Sequence, residues 1–322
     1  MDQEQWLRII DDMAATAIRR APRTLHRIGR RRQLFERRLR RHWGRSLDLC
    51  LLTFAQAEEL GSELSHLTPT PCDMVTAALI QLHARACRAA DEVYCLLSAG
   101  HGQGAMKPAR LLYELAAVTS VIGTYGRRPG HEDLVERYYA HEDCAGFKAM
   151  EIYQEYAQDL GMEPYSDEEV EEARQASQAA VDRFGPGIRS QVGWAAAPLA
   201  SVGARVSTRG LASLADLAHL HPYFEWASAE THAGAQGMRL NRADTRRGPV
   251  LQTGPSVVGL ADPAYLAVKF ICHITHALVE HSQPEPGPQF LLGVAALHKL
   301  QMRTHDALEA ALRRTRDLPL IG

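Results

Sequence analysis

The sequence predicts an all-α protein: a multi-helix bundle with an arginine-rich N-terminal helical arm. Three observations carry that prediction. Apolar residues recur at three- and four-residue spacing through most of the chain, while the alternation of a half-buried strand is nearly absent. Alanine, leucine, arginine and glutamate, all good helix formers, fill the periodic segments. Glycine and proline gather at a few punctuation points between them. With 322 residues, 46% hydrophobic and 23% charged, the chain has enough apolar surface for one large core or two modest ones.

In chain order, helices are expected at roughly 2–20 and 31–65, then 73–98, 105–126, 131–160 and 167–184. A further set is expected at 208–219, 221–238, 262–282 and 289–315. Thr68-Pro69-Thr70-Pro71 ends the second helix, and Ser98-Ala99-Gly100-His101-Gly102-Gln103-Gly104-Ala105 separates the third from the fourth. Arg128-Pro129-Gly130 and Gly161-Met162-Glu163-Pro164 close the next two,. Ser166 followed by Asp167, Glu168 and Glu169 reads as a capped helix start with acids in its first turn,. Two stretches, Phe184 to about Thr208 and about Arg239 to Asp262, read as long irregular connections of the kind that often carry function. Three regions follow: an arm over 1–68, a bundle over 69–284 and a C-terminal packing helix over 285–322.

The formal net charge of −2 gives no global reason to expect a polyanion or a membrane,. That average hides a segregation. Twelve arginines and one acid, Glu36, stand between Arg19 and Arg45, whereas the charges from Glu163 to Glu172 are all acidic. Leu34, Phe35, Leu39 and Trp43 give the arm an apolar stripe, so it reads as a solvated helix docked by that stripe, and otherwise as the place where RNA, DNA or an acidic partner would be gripped, RNA or a nucleotide through phosphates,. Six widely spaced cysteines with no paired metal spacing suit a reducing compartment,. No secretory leader and no apolar run of spanning length is visible, so a cytoplasmic protein without a membrane partner is expected. A homo-oligomer is compatible with the sequence, and no motif calls for a cofactor. The glycines of Gly100–Gly104 follow no strand, so the dinucleotide fingerprint fails there.

Two polar constellations interrupt the apolar helices. Arg110 and Glu114 are four apart in a segment that is apolar on most of its circumference, where a charge pair is costly unless further bonds satisfy it,. Tyr223, Glu225, Ser228, Glu230 and His232 form the second group, with Ser228 and His232 again four apart,. Histidine beside a carboxylate can act as acid or base near neutral pH, and arginine opposite can bind an anionic group and stabilise developing negative charge. Together these types suit metal-independent phosphodiester cleavage; they suit an internal hydrogen-bonded network equally well. A third group, His273, His276 and Glu280, shares one helical face and could present two imidazoles and a carboxylate to a metal ion, with His141 and Glu142 or Glu114 completing the shell,.

The layout from Pro71 to Gly237 resembles a bacterial all-helical family of unknown function. Its marks are R-x-x-x-E (Arg110, Glu114), a long tyrosine-bearing helix (Arg137, Tyr138, Tyr139) and Y-x-x-x-x-S-x-x-x-H (Tyr223, Ser228, His232). The resemblance implies an all-α fold and points at the same polar residues, without supplying an activity. A looser likeness is to the HEPN helical nucleases of stress and phage defence, marked by R-x(4-6)-H. Arg37-x4-His42 and Arg20-x5-His26 fit that spacing, while no arginine stands five to seven residues before His232. The leading expectation is an intracellular bundle acting on RNA or a nucleotide, with His232 as acid/base, Arg110 on phosphate and Glu114 or Glu225 orienting. A non-catalytic interaction or ligand-binding bundle, and a metalloenzyme, are the alternatives.

Overall fold

The computed structural model describes residues 3–232, 234–240, 242–245 and 248–315. Eleven helices of α type run through the described residues: α1 Gln3–Leu67, α2 Met74–Ser98, α3 Gly102–Tyr125, α4 Leu134–Tyr156, α5 Asp167–Phe184, α6 Ala196–Ser201, α7 Thr208–Leu214, α8 His221–Thr231, α9 Ala235–Leu240, α10 Ala261–His281 and α11 Pro288–Thr315. Between α9 and α10 a short antiparallel hairpin, β1 Arg242–Thr245 with β2 Gly248–Leu251, pairs Arg242 with Leu251. The all-α expectation holds, with this hairpin as a small addition inside the second irregular stretch.

The core is built on α2, α3 and α10, which pack on one another; α1 lies against α2 and α10, α11 lies against α1 and α10, and α4 with α5 forms a separate layer. Helices α3 and α10 are apolar nearly all round because neighbours cover them on most sides,. Asp73 caps α2 by accepting from the Val75 and Thr76 N–H groups. Ser166 and Glu169 form the expected capping box of α5,. Arg127, just past α3, donates to the His281 carbonyl at 2.6 Å, to Asp73 at 2.7 Å and to the Thr76 hydroxyl at 2.8 Å. One guanidinium thus ties together the ends of the three central helices.

The arm departs from the expectation of two helices. α1 runs unbroken for 65 residues with Pro22 inside it. Proline removes one backbone donor and crowds the preceding turn, yet Arg, Ala and Leu on both sides favour the helix strongly enough to carry it through. Only its second half belongs to the bundle: Leu39, Trp43, Leu47, Cys50 and Phe54 are buried, and Trp43 donates its indole N–H to the Val257 carbonyl at 2.9 Å. Ser46 bonds the Ala307 carbonyl at 2.8 Å and Thr53 meets Thr304 at 3.1 Å, so α11 is laced to that half. The first half, before about residue 35, projects with its side chains largely exposed. Two glycines of the Gly100–Gly104 segment are explained by packing. Gly100 has φ +80° and lies against the Phe35 ring, and a side chain at Gly102 would strike the Gly259 carbonyl,. Among the described residues no helix is long and apolar enough to cross a membrane.

Candidate functional site

The first constellation holds together. On α3, Arg110 pairs with Glu114 at 3.2 Å, and its guanidinium lies 4.4 Å from the centroid of Phe224 on α8. Both side chains are about three-quarters covered. Burial raises the Glu114 carboxyl above its ordinary range, against the pull of Arg110 and Arg85,. The Arg110 Nε is buried with no partner among the described residues. The pair is thus partly desolvated and held by a ring face, an arrangement that fixes how α8 sits on α3.

The imidazole of this cluster is His221, not His232. At the start of α8, the His221 Nε2 lies 3.1 Å from a Glu225 oxygen, its ring stacks on Phe224 at 5.3 Å, and its Nδ1 lies 3.5 Å from the Tyr113 hydroxyl. With Nε2–H donating to the carboxylate, Nδ1 is left to accept from the phenol, giving a Tyr113–His221–Glu225 chain. Burial pushes the Tyr113 phenol up to about 12, so it keeps the proton this chain requires. His232, by contrast, is the exposed C-cap of α8, and it bonds neither Arg110 nor Glu114. The helix expected over 221–238 ends at Thr231, so the α-helical spacing that put His232 above Ser228 stops one residue short. The H-x-x-x-E spacing of His221 and Glu225 was the available signal.

The remaining members of that group serve locally. Ser228 donates to the Phe224 carbonyl at 2.8 Å, which satisfies its hydroxyl within its own helix,. Tyr223 stands edge-on to Trp226 at 5.2 Å, and burial with Asp262 and Tyr265 nearby raises its phenol. Burial also raises Glu230, whose Oε1 has no partner among the described residues.

The metal expectation fails on geometry. His273 is partly buried, and its Nε2 lies 2.6 Å from the Ser120 hydroxyl; burial pushes it down to about 4. His276 faces the ring of His298 at 5.3 Å and stands 3.8 Å from Glu280. Sharing a helical face did not make these donors converge, because α3 claims the first of them. Among the described residues no three His, Cys, Asp or Glu side chains come together as a metal site.

A cleft of about 610 Å³ opens on the other side of Glu114, between α2, α3 and α4 and roofed by residues 191–211. Its charged and polar lining includes Gln81 and Arg85 from α2, Glu114 from α3, His141 and Glu142 from α4, and Gln191 and Thr208 from the roof. Tyr138, Tyr139 and Trp194 make an aromatic wall: Tyr138 packs edge-on against Trp194 at 5.0 Å, and the Tyr139 hydroxyl donates to Gln81 at 3.3 Å. Among the described residues no salt bridge occupies Arg85, whose charge acts through space on Glu114 and Tyr138. Arg85 and Trp194 were not among the expected site residues. Gln81-x-x-x-Arg85 has the i, i+4 spacing that could have flagged one; Trp194 sits in a short 3-10 turn with no periodicity to read. Neither R-x(4-6)-H run lines the cleft, since both lie on α1.

Fold and site together define a helical bundle with a polar, aromatic-walled cleft of small-ligand size between its helices. The chain belongs to a family of unknown function, DUF5677, which it matches over residues 76–248. That span takes in α2 through β1, the elements that build both the cleft and the α3–α8 seam. No curated protein and no solved structure matches the chain.

Proposed function

We propose that the protein binds a nucleotide in the α2–α3–α4 cleft and acts on it by metal-independent acid/base chemistry, inside the cell where its six free cysteines stay reduced,. The observation that carries this reading is the joint lining of one cleft by an uncommitted Arg85, an aromatic wall and the titratable pair His141 and Glu142. A cavity of about 610 Å³ falls in the range that encloses a small ligand,. Arginine offers a planar fork to a phosphate, the Tyr138 and Tyr139 rings accept a base with Trp194 packed behind them, and the Gln81 and Gln191 amides can read its polar edge,. His141 is the imidazole that lines the cleft and serves as the acid/base in this reading, with Glu142 beside it in sequence and Glu114 across the cleft,. The acid/base role expected for His232 therefore passes to His141, and the phosphate role of Arg110 to Arg85.

A thermal-shift survey of mono-, di- and cyclic nucleotides tests the binding step. A bound nucleotide raises the melting temperature, and Arg85→Ala removes the rise without lowering the unliganded melting temperature. His141→Ala keeps the rise and abolishes turnover. A nucleotide-induced rise that survives Arg85→Ala would exclude the cleft as the site.

A second reading is favoured by the Arg110–Phe224 contact. The R-x-x-x-E pair and the Tyr113–His221–Glu225 chain are structural, a polar seam that orients α8 on α3. On that reading Arg110→Ala acts through stability and leaves ligand affinity alone.

A further inference from the structure

The chain's charge is split between two surfaces that have no partner within it. The first half of α1 projects from the bundle; at about 1.5 Å per residue, its first 32 residues extend roughly 48 Å. Its exposed side chains combine apolar and basic character. Trp6, Ile10, Met13, Leu25 and Ile28 are all at least two-fifths exposed, and they recur at helical spacing along one side. The ion pairs of the arm among the described residues are Arg8–Glu4 and Arg40–Asp48, which leaves Arg20, Arg23, Arg27, Arg30 and Arg31 without acids. Most helical stability in proteins comes from packing of an apolar side, and the apolar side of this half of α1 is uncovered within the chain,.

The complementary surface is the tip of the α4–α5 hairpin. Between residues 151 and 172 stand nine acids and no lysine or arginine. The same tip exposes Ile152, Tyr156, Leu160, Met162 and Tyr165, with Leu160 61% open to solvent. Neither surface covers the other in the chain: α1 packs on α2, α10 and α11, whereas α4 and α5 pack on each other and on the 3-10 turns that follow α5.

We infer that the arm of one copy docks on the α4–α5 tip of a second copy of this chain, apolar side chains meeting in the centre and arginines flanked by carboxylates. Both surfaces belong to the same molecule, and they carry opposite charge, twelve arginines with one acid over 19–45 against nine acids over 151–172,. Reciprocal exchange of arms closes the assembly as a two-fold dimer, each copy giving an arm and offering a tip. This interface stands apart from the cleft, and its success or failure leaves the nucleotide reading untouched.

The test is the mass of the full chain in solution by light scattering, between ~0.05 M and ~0.5 M salt, where screening of exposed charges increases. The wild type has twice the chain mass at low salt and shifts toward one chain at high salt. An arm variant, Arg27→Glu/Arg30→Glu/Arg31→Glu, is monomeric, as is a tip variant, Asp167→Arg/Glu168→Arg/Glu172→Arg. Mixed one to one, the two variants restore the dimer, because the arm carrying three glutamates then meets the tip carrying three arginines and each native arm a native tip. All six positions are exposed, and unchanged circular dichroism checks that each variant folds. A wild type that is monomeric at every salt concentration overturns the inference, as does a dimer that both variants keep. A monomer whose arm variant alone loses retention on an RNA column assigns the arginines to RNA instead.

Discussion

Arg110 and Arg85 are both near Glu114, and their surroundings give them different work. Arg110 is committed to a carboxylate and a ring; Arg85 is committed to neither. Truncating Arg110 strands a half-buried carboxylate and removes a cation over Phe224, so Arg110→Ala is expected to cost about 2 kcal/mol. Urea unfolding followed by circular dichroism measures that loss, and a change within error would show that the seam contributes nothing. Histidines set the acid limb. His83 is buried, with its Nε2 3.0 Å from the Thr275 hydroxyl, and burial pushes it down to about 4. Burial does the same to His273, with His276, Lys269 and His298 adding to the effect and Glu280 opposing it. Both are neutral in the folded chain, so the unfolded chain takes up protons first. Their stabilisation is complete above about 6.5, the ordinary value, and is lost as pH falls from there toward about 4,. The urea midpoint should decline across that window, and His83→Gln should flatten the slope. An unchanged slope in the variant would remove His83 from the explanation.

At the scale of elements, the helix seam between α1 and α2 depends on one missing side chain. Gly61 lies against the His83 imidazole, and a Cβ there would overlap the ring. Gly61→Ala is expected to destabilise by about 1–3 kcal/mol through overpacking, and His83→Ala in the same chain should recover part of that loss. Additive losses in the double variant would place the strain elsewhere. Much of this level was legible in the sequence. The 3.6-residue period located α2, α3, α5, α10 and α11 to within a few residues, and the Ser166 box gave the start of α5 because capping is a local property. Other features were decided by tertiary context. Separate helices were expected over 2–20 and 31–65, yet α1 runs unbroken from Gln3 to Leu67. α8 stops at Thr231, which moved the relevant imidazole from His232 to His221. Arg110 and Glu114 were legible because i, i+4 charges in apolar sequence stand out. Arg85 was not, because it is a cation on an exposed helix face and looks like any solvated residue until α4 and residues 191–211 build a cleft beside it.

For the whole molecule, the bundle holds two polar systems back to back across α3. The Tyr113–His221–Glu225 chain faces α8 and is satisfied internally; the cleft faces α4 and has a cation to spare. Glu114 belongs to both, so a ligand that draws on Glu114 or Arg85 is linked to how tightly α8 is held. Binding to the folded state alone raises stability by mass action, so a nucleotide should protect α3 and α4 amides from hydrogen exchange more than those of α11. Uniform protection along the chain would argue against a site in the cleft. The most direct measurement is calorimetric titration of the full chain with nucleotides, wild type beside Arg85→Ala. The expected result is saturable binding of at least one nucleotide at one site per chain, weakened about tenfold or more by the substitution, as for the loss of a charge-assisted hydrogen bond. No heat with any nucleotide, or an Arg85→Ala isotherm that overlays the wild type, would contradict it.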